Sequence, residues 1–197
     1  MPEATAGERR DDLVVLYKHL RYEHHCPLRE TRTKLVFGAG NADAELMFVG
    51  EAPGAQEDLS GLPFVGRAGR LLDELLAEVG LDRERDVFVA NVLKCRPPGN
   101  RDPLPEEIAE CSPHLFRQIE LIRPRLVCTL GNFATKLLSG SPQGITRVHG
   151  TVQQVSVGGL DIRLFPLFHP AAALRTPSVK ELLRADFGRI PGLLEDQ

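Results

Sequence analysis

The sequence has no apolar run of about 18 residues, the length that a membrane-spanning helix needs. Its first ten residues are polar and charged and no apolar stretch follows them, so we expect no secretory signal. Internal repeats, low-complexity tracts and long linkers are absent as well. These absences predict one globular domain over residues 1–197, in which residues 1–9 form a loose terminus.

An excess of positive charge is also absent. The 24 Lys and Arg residues and the 27 Asp and Glu residues leave a net charge of −3, which argues weakly against nucleic-acid binding. A small DNA footprint needs only a local basic strip, however. Such strips consist of Lys94, Arg96 and Arg101 in one loop, and of Arg67 and Arg70 in another segment. Residues of this kind are more often solvated surface charges, so charge by itself leaves DNA binding open.

Cysteine is infrequent, with four residues in the chain. Cys128 lies in the apolar run 126–130 and is predicted to be a small buried hydrophobic residue. Cys26, Cys95 and Cys111 instead lie in polar segments, and we do not expect disulfides in an intracellular chain of this size. These three cysteines therefore indicate a metal or an iron–sulfur cluster, and their spacing does not distinguish zinc from iron–sulfur.

Apolar periodicity and turn residues predict helices that alternate with strands. The predicted helices cover residues 11–23, 67–79, the sequence between loop 95–103 and residue 123, 132–139 and 178–194; the predicted strands cover residues 45–50, 87–90, 125–130, 151–157 and 162–167. Pro113 is predicted to break the third helix, with Ser112 as a new N-cap. Gly158 and Gly159 suggest a hairpin or two edge strands. This order predicts a three-layer α/β/α sandwich with a mainly parallel central sheet.

Polar and unusual residues follow three of the predicted strands. They are the loop after Gly50, the residue Asn91, and the residues after Leu167. In open α/β sheets a ligand lies beyond the carboxyl ends of the strands. The three places therefore form a candidate ligand site, and the Gly- and Pro-rich turn 50–54 would expose backbone N–H groups there.

Three side chains at these places each allow a functional and a structural interpretation. Phe64, in a Gly/Pro loop, can stack on a flat base or simply cover the core. Asn91 can accept from N3–H of uracil and donate to O4, a pattern that cytosine reverses, but it can also be a capping residue. His169 can donate to an oxygen that gains negative charge, although a lone histidine is more often structural.

Five stretches in this order resemble the iron–sulfur (family 4) uracil-DNA glycosylases: residues 36–41 (VFGAGN), 50–58 (GEAPG, then ED), 63–66 (PFVG), 91–98 (NVLKCRPP) and 169–171 (HPA). The match runs from about Cys26 to Arg184. The resemblance implies hydrolysis of the N-glycosidic bond of deoxyuridine in DNA, which releases uracil and leaves an abasic site. It implies uracil-containing DNA, single- or double-stranded, as the partner, no membrane, and a cytoplasmic location with the nucleoid of a bacterium or archaeon. Without an oligomerisation signal we expect a monomer.

The resemblance also implies how uracil is bound. The base would stack on Phe64, pair with Asn91, and touch the backbone at Glu51 and Ala52. His169 would stabilise the leaving uracil anion at O2. The target nucleotide must leave the duplex, or come from single-stranded DNA, to reach such a site.

Water activation and DNA entry are implied less directly. Glu51 or Glu57 would place water or stabilise a sugar cation. Better-known uracil glycosylases carry an aspartate at the position of Ala52, so the assignment of a base stays open. Segment 171–175 resembles the family's DNA-penetrating loop, with Leu174 as the wedge and Arg175 as a phosphate contact.

The resemblance implies a structural 4Fe–4S cluster held by Cys26, Cys95 and Cys111. The family has Cys-x-x-Cys at the first cluster site, and here the first of those positions is Glu23. We favour His24 as the fourth ligand, because imidazole suits iron. There are two alternatives: the Glu23 carboxylate is the fourth ligand, or the cluster is labile, three-iron or absent. The cluster would tie the N-terminal helix to loop 95–111.

Two other functions are to be weighed against a glycosylase. A uracil-DNA binder that traps its substrate covalently would carry a longer basic insertion with a nucleophilic histidine after the second strand. Loop 95–103 is short and has no histidine, which disfavours trapping. A non-catalytic DNA-binding module is disfavoured because Phe64, Asn91 and His169 are all present.

Overall fold

A mixed sheet of six strands forms the centre of the protein in a computed structural model that describes residues 4–23 and 26–196. The strands are β1 (Ala39–Gly40), β2 (Leu46–Gly50), β3 (Val87–Asn91), β4 (Leu126–Leu130), β5 (Gln153–Val157) and β6 (Leu160–Leu167). Their order is β1-β3-β2-β4-β6-β5, with antiparallel edge strands and four parallel strands between them. The mainly parallel sheet is confirmed, and so is the hairpin at Gly158 and Gly159.

Helices connect the strands and cover both faces of the sheet. They are α1 (Ala6–Tyr22), α2 (Ala55–Ser60), α3 (Arg67–Glu78), α4 (Pro105–Ile122), α5 (Asn132–Ser139), α6 (Ile145–Val148), α7 (Pro170–Ala173), α8 (Pro177–Phe187) and α9 (Ile190–Glu195). Within the described residues, none of these helices is both long and apolar enough to cross a bilayer.

Side chains of the central strands alternate between two apolar layers, because successive residues of a strand point to opposite faces. In β2, Met47 and Val49 belong to the layer that contains residues of α1, α4 and α5. Leu46 and Phe48 belong to the layer that contains residues of α3 and α8. The protein is therefore the predicted α/β/α sandwich, and Cys128 in β4 is buried as predicted.

The N-terminal helix begins earlier than the sequence analysis expects. A loose terminus over residues 1–9 is wrong for residues 6–9, which form the start of α1. Thr5 caps this helix: its hydroxyl accepts from the Glu8 N–H at 3.3 Å, and the Glu8 carboxylate accepts from the Thr5 N–H at 2.8 Å. This reciprocal capping box satisfies backbone donors at the helix end, which the apolar periodicity does not reveal. Residues 1–3 lie outside the described part of the chain.

The predicted break at Pro113 is also wrong. Helix α4 continues through this residue, so Ser112 is not an N-cap. A proline inside a helix removes one hydrogen bond and costs about 3 kcal/mol. Buried Cys111, Leu115 and Ile119 hold α4 against the sheet on both sides of the proline, and this packing outweighs the local preference.

The final predicted helix, residues 178–194, is two helices. Helix α8 ends at Phe187 and α9 begins at Ile190. Pro191 explains the interruption, because it has no N–H to donate to the carbonyl of Phe187 four residues earlier.

The carboxyl ends of the four parallel strands lie side by side. Gly50 pairs with Asn91 across β2 and β3, and Leu130 pairs with Leu167 across β4 and β6. The segments that follow these residues therefore leave the sheet at one edge. The sequence predicts three of them; the fourth, after Leu130, becomes evident only in the sheet.

Candidate active site

A cavity of about 680 Å³ lies at this edge of the sheet. The residues predicted to bind or convert uracil all line it: Glu51, Ala52, Glu57, Phe64, Asn91 and His169. Residues that the sequence analysis did not single out line it too, among them Asn100, Asp102, Gly131 and Asn132. In the sequence, these residues could have been identified only by their position after a strand or in a Pro-rich loop. Many residues without a functional role occupy such positions.

Asn91 contributes an unsatisfied acceptor to the cavity. It is 2% exposed, and its Oδ1 is buried without a hydrogen-bond partner. A buried acceptor of this kind costs about 1–3 kcal/mol unless a partner is supplied. A ligand N–H that reaches Asn91 would therefore regain that free energy.

Gly50 allows Asn91 and Phe64 to approach the backbone of β2. A β-carbon at Gly50 would lie 2.4 Å from Asn91 Oδ1 and 2.6 Å from the Phe64 ring. Any side chain at this position would therefore displace the Asn91 amide or the Phe64 ring. Glycine at the end of β2 thus brings the amide and the aromatic ring to one place.

Phe64 is held in a backbone conformation that is unusual for a non-glycine residue. Its φ is +51°, and its ring is stacked on the His169 ring with 5.7 Å between centroids. Arg83 donates to the Phe64 carbonyl at 2.7 Å and also to the Pro63 carbonyl, while it pairs with Asp73 at 2.9 Å. Sequence reasoning missed Arg83, which lies 19 positions away and fixes the loop only through its backbone.

The carboxylate of Glu57 binds the backbone of the same loop. Its Oε1 accepts from the N–H groups of Val65 and Gly66, both at 2.9 Å, and its Oε2 accepts from Gly54 N–H at 3.1 Å. These three bonds join the turn after β2 to the segment that carries Phe64. In the structure Glu57 therefore acts on loop geometry, and a direct role toward substrate stays a prediction.

Glu57→Gln should test this anchoring. The amide would place N–H donors opposite backbone N–H donors, so we expect the free energy of unfolding to fall by about 2 kcal/mol and the KM for uracil-containing DNA to rise. Urea unfolding and steady-state excision assays measure the two quantities, with Glu74→Gln on the exposed face of α3 as the control. Unchanged stability with lost activity would instead assign Glu57 to the substrate.

His169 follows β6 and is the N-cap of α7. Its Nδ1 accepts from the Ala171 N–H at 3.1 Å, so in the neutral ring the proton is on Nε2. Burial, and secondarily the charge of Arg175, lower the pKa of His169 to about 4. The ring is therefore neutral at pH 7, and it has an Nε2–H donor at the cavity wall.

Glu51, directly after β2, is a half-buried carboxyl at the same cavity. Burial raises its pKa, and the negative charge of Asp102 raises it further. A carboxyl with a raised pKa is a better base than an ordinary one, and ionised it stabilises a nearby cation. Ala52, the next residue, contributes no titratable group.

The segment after His169 lies at the cavity as well. Leu174 follows α7 and is 36% exposed, and Arg175 lines the cavity with its Nε donating to the Ala171 carbonyl at 3.2 Å. An exposed apolar side chain beside a cation suits the proposed wedge and phosphate contact. Both roles stay predictions.

Two members of the predicted basic strip have other partners. Lys94 is 1% exposed, so it is not a surface cation. Its Nζ donates to the Asn91 carbonyl at 2.7 Å and to Gln118 Oε1 at 2.6 Å. Burial lowers the pKa of Lys94 to about 7 despite the nearby thiols. Arg101 pairs with the buried carboxylate of Glu107 at 2.6 Å.

Three cysteine side chains converge, as the sequence predicts, and one of them, Cys111, belongs to α4. Cys26 is hydrogen-bonded through sulfur to Cys95 and to Cys111, and all three are buried. These bonds, and then burial, raise the pKa of the Cys95 and Cys111 thiols. Arg32 donates to Cys95 Sγ at 3.1 Å. Cys128 lies in the opposite apolar layer, apart from this group.

The residues that complete a cluster site are less defined. His24 lies outside the described residues, so its role as fourth ligand stays a prediction. Glu23 is exposed at the end of α1 and bonds to His19 Nδ1 at 3.0 Å. Over residues 4–23 and 26–196, no group of three or more His, Cys, Asp and Glu side chains is arranged to hold a metal ion. The donors that do converge are soft thiols, which suit an iron–sulfur cluster.

Known proteins of one family resemble this chain over most of its length. The model of the uracil-DNA glycosylase superfamily matches residues 37–187. The chain is 46% identical to the type-4 uracil-DNA glycosylase of Archaeoglobus fulgidus, over 93% of this chain and 92% of that protein. It is 44% identical to the Saccharolobus solfataricus type-4 enzyme, over 95% and 88% of the two chains, and 49% identical to the Thermotoga maritima type-4 enzyme, over 78% of each. With identity of this extent over most of its length, the chain belongs to the type-4 uracil-DNA glycosylases.

Proposed function

We propose that this protein is a DNA repair glycosylase that hydrolyses the N-glycosidic bond of deoxyuridine in DNA, releases uracil and leaves an abasic site. The observation that carries the proposal is the unpartnered Oδ1 of Asn91, buried in the cavity between the loop of Phe64 and the end of β6. A planar base with an N–H at its edge supplies the missing donor and covers the aromatic ring.

Asn91 accounts for selection of uracil over cytosine. Its Oδ1 accepts from N3–H of uracil, and its amide N–H groups donate to O4. Cytosine has an acceptor at N3 and a donor at C4, so the same amide would face two unmatched groups. Buried groups left without partners make such discrimination strong.

His169 accounts for departure of the base. As the glycosidic bond breaks, negative charge develops on uracil O2, and a neutral imidazole with its proton on Nε2 can donate to it. The sugar becomes oxocarbenium-like, and the carboxylate of Glu51 stabilises that positive charge or orients water. Because Ala52 has no carboxylate, stabilising the departing anion matters more than a strong base.

DNA would reach the cavity along the segment after α7. Leu174 would fill the space left by the flipped nucleotide, and Arg175 would contact a phosphate. We propose that residues 1–197 act as one domain and as a monomer on single- or double-stranded DNA. A cytoplasmic location, with the nucleoid, is consistent with this substrate.

A 4Fe–4S cluster would be held by Cys26, Cys95 and Cys111, with His24 as the fourth ligand. Three buried thiols from separate chain segments, beside the cation of Arg32, fit a group that carries negative charge. The cluster would supply a structural cross-link between the segment after α1, which carries Cys26, the loop of Cys95 and helix α4, which carries Cys111. Within that scaffold, the Lys94 ammonium holds the backbone carbonyl of Asn91.

Cys111→Ala should lower bound iron and acid-labile sulfide from about four per chain to well below that, and lower the midpoint of thermal unfolding. Cys128→Ala is the matched control, because Cys128 is equally buried but lies in the other layer. His24→Ala and Glu23→Ala, measured in the same way, identify the fourth ligand. Equal iron content in Cys111→Ala and the wild type would contradict a cluster at this place.

The function itself is tested with a labelled oligonucleotide that contains one uracil, followed by alkali cleavage of abasic sites. Multiple-turnover strand breakage supports the glycosylase. A protein–DNA adduct that survives a denaturing gel, without breakage, would identify the covalent binder. Binding without breakage or adduct would identify a non-catalytic module.

A further inference from the structure

A second cavity, of about 600 Å³, adjoins the loop that carries Phe64. Its walls are the carboxyl end of α1, segment 32–38 and residues 60–62, and we call it the Arg21–Lys34 cleft. Leu62 lines this cleft, and Phe64, two residues later, lines the uracil cavity. The chemistry proposed for uracil excision does not use the cleft.

Cations line the Arg21–Lys34 cleft without a compensating carboxylate among its described lining residues. The cations are Arg21, Arg32 and Lys34. Arg32 is committed elsewhere, since it donates to Cys95 Sγ and to the Arg21 carbonyl. Arg21 and Lys34 therefore supply the positive charge that a ligand would meet, on a chain whose net charge is −3.

Both cations are exposed at the surface, and each has contacts that position its side chain. The Arg21 guanidinium lies 5.3 Å from the Tyr22 ring centroid and 5.8 Å from that of Tyr17, and it donates to the Tyr17 hydroxyl. Its other N–H groups have no acceptor among the described residues. The methylene stem of Lys34 lies along the loop, since a β-carbon at Gly61 would be 3.4 Å from Lys34 Cδ. Within the described chain the Lys34 ammonium has neither a hydrogen bond nor an ion pair.

Helix α2 joins the cleft to the uracil cavity. Asp58 accepts from the Thr33 N–H at 2.9 Å and so fixes the segment that bears Lys34. Glu57, the preceding residue, fixes the loop of Phe64 through three backbone N–H groups. The two adjacent carboxylates hold both sites on one short scaffold.

We propose that the Arg21–Lys34 cleft binds a phosphate of the DNA strand that carries the uracil, a few nucleotides from the excised one. The proposal rests on the proposed function. The chain from Gly61 to Phe64 spans at most about 11 Å, and phosphates along one strand of a duplex rise by about 3.4 Å each. At that rise, about three nucleotides cover the distance between the loop position that lines the cleft and Phe64, and we expect one of their phosphates to lie at Arg21 and Lys34.

Substrate length tests the proposal. One oligonucleotide has a uracil with about two nucleotides on each side, and two others extend it by about six nucleotides on the 5′ or the 3′ side only. Extension on one side should lower the wild-type KM. Lys34→Ala and Arg21→Ala should each lose that gain, with KM on the extended substrate raised about fivefold and kcat unchanged. The slope of log affinity against log salt should decrease by about one per variant.

The short oligonucleotide and two variants provide the controls. On the short substrate Lys34→Ala and Arg21→Ala should match the wild type, which also shows that they fold. Lys34→Arg keeps the charge and should restore binding, and Lys18→Ala removes an exposed cation of α1 that does not line the cleft. Fluorescence anisotropy with the same oligonucleotides compares binding without turnover.

The proposal would be overturned if Lys34→Ala and Arg21→Ala bound every extended substrate as tightly as the wild type at every salt concentration. An equal loss on short and extended substrates would overturn it as well, because the effect would then pass through the loop. If KM did not depend on oligonucleotide length, and inorganic phosphate competed with the oligonucleotide for binding, the cleft would instead be a site for free phosphate. If the wild type binds but excises nothing, the proposed function fails, and the anisotropy comparison still decides on the cleft.

Discussion

His169→Ala should lower kcat for uracil excision by a factor of about 100 to 1,000, the usual effect of removing one donor to a developing oxyanion. The substitution removes the ring and with it the Nε2–H donor. The proton is on Nε2 because Nδ1 accepts from the Ala171 N–H. The Kd for uracil-containing DNA should change little, since charge on O2 appears only as the bond breaks. Single-turnover rates and equilibrium binding measure the two effects separately.

Acidification tests the charge state of His169. Its pKa is about 4 in the folded protein, below the ordinary 6.5, so the unfolded chain binds more protons between these two pH values. The free energy of unfolding of the wild type should therefore fall as the pH drops from 6.5 to 4, by up to about 3 kcal/mol. His169→Ala should lack this part of the fall. A wild-type kcat that is lost as the pH rises through 6.5 would contradict a neutral donor, because the active ring would then be the protonated one.

Asn91→Asp should lower kcat/KM for uracil by a factor of at least about 1,000 at pH 7. An ionised carboxylate accepts at both of its oxygens, so it would pair with N3–H and repel O4. The Oδ1 of Asn91 is buried without a hydrogen-bond partner, so an added charge there would be poorly solvated. Excision from matched oligonucleotides with uracil or cytosine measures the change in both rate and specificity.

The pH dependence of Asn91→Asp provides the control. Burial raises the pKa of a carboxyl group, and the protonated form has one donor and one acceptor, as the amide does. Activity on uracil should therefore rise as the pH falls toward 5, whereas the wild type should not gain. Wild-type activity in Asn91→Asp at pH 7 would refute the pairing proposed for this residue.

Local sequence was sufficient for the strands because both faces of the central sheet are covered. Buried on both sides, β2, β3 and β4 read as short apolar runs bounded by polar residues, which predicts their position and their ends. Parallel strands then place those ends at one edge, so Asn91 and His169 could be assigned to one site before any distance was known. The grouping of Cys26, Cys95 and Cys111 could be predicted because they lie in polar segments, whereas Cys128 lies in an apolar run.

Long-range contacts explain the predictions that were wrong. Lys94 has the sequence context of a surface cation, but it can be buried because Gln118 Oε1 of α4 and the Asn91 carbonyl accept hydrogen bonds from its Nζ. Pro113 favours a helix break, but packing against the sheet holds α4 together. The anchoring contacts of Arg83 and Asp58 could not be predicted, because Arg83 donates to the Phe64 carbonyl and Asp58 accepts from the Thr33 N–H, backbone groups of distant segments.

The order of apolar runs, glycines and chemically distinctive side chains determined the α/β/α fold and the edge of the sheet at which the cavity lies. It also led to the proposal that Asn91 pairs with uracil. These inferences depend on periodicity and on the functional groups that each residue carries by itself. The tertiary structure decided the proton position on His169, the anchoring role of Glu57, the burial of Lys94 and the existence of the Arg21–Lys34 cleft. Each of these depends on residues that are distant in the sequence and in contact in the fold, because those contacts set the hydrogen-bond partners and the burial of a side chain.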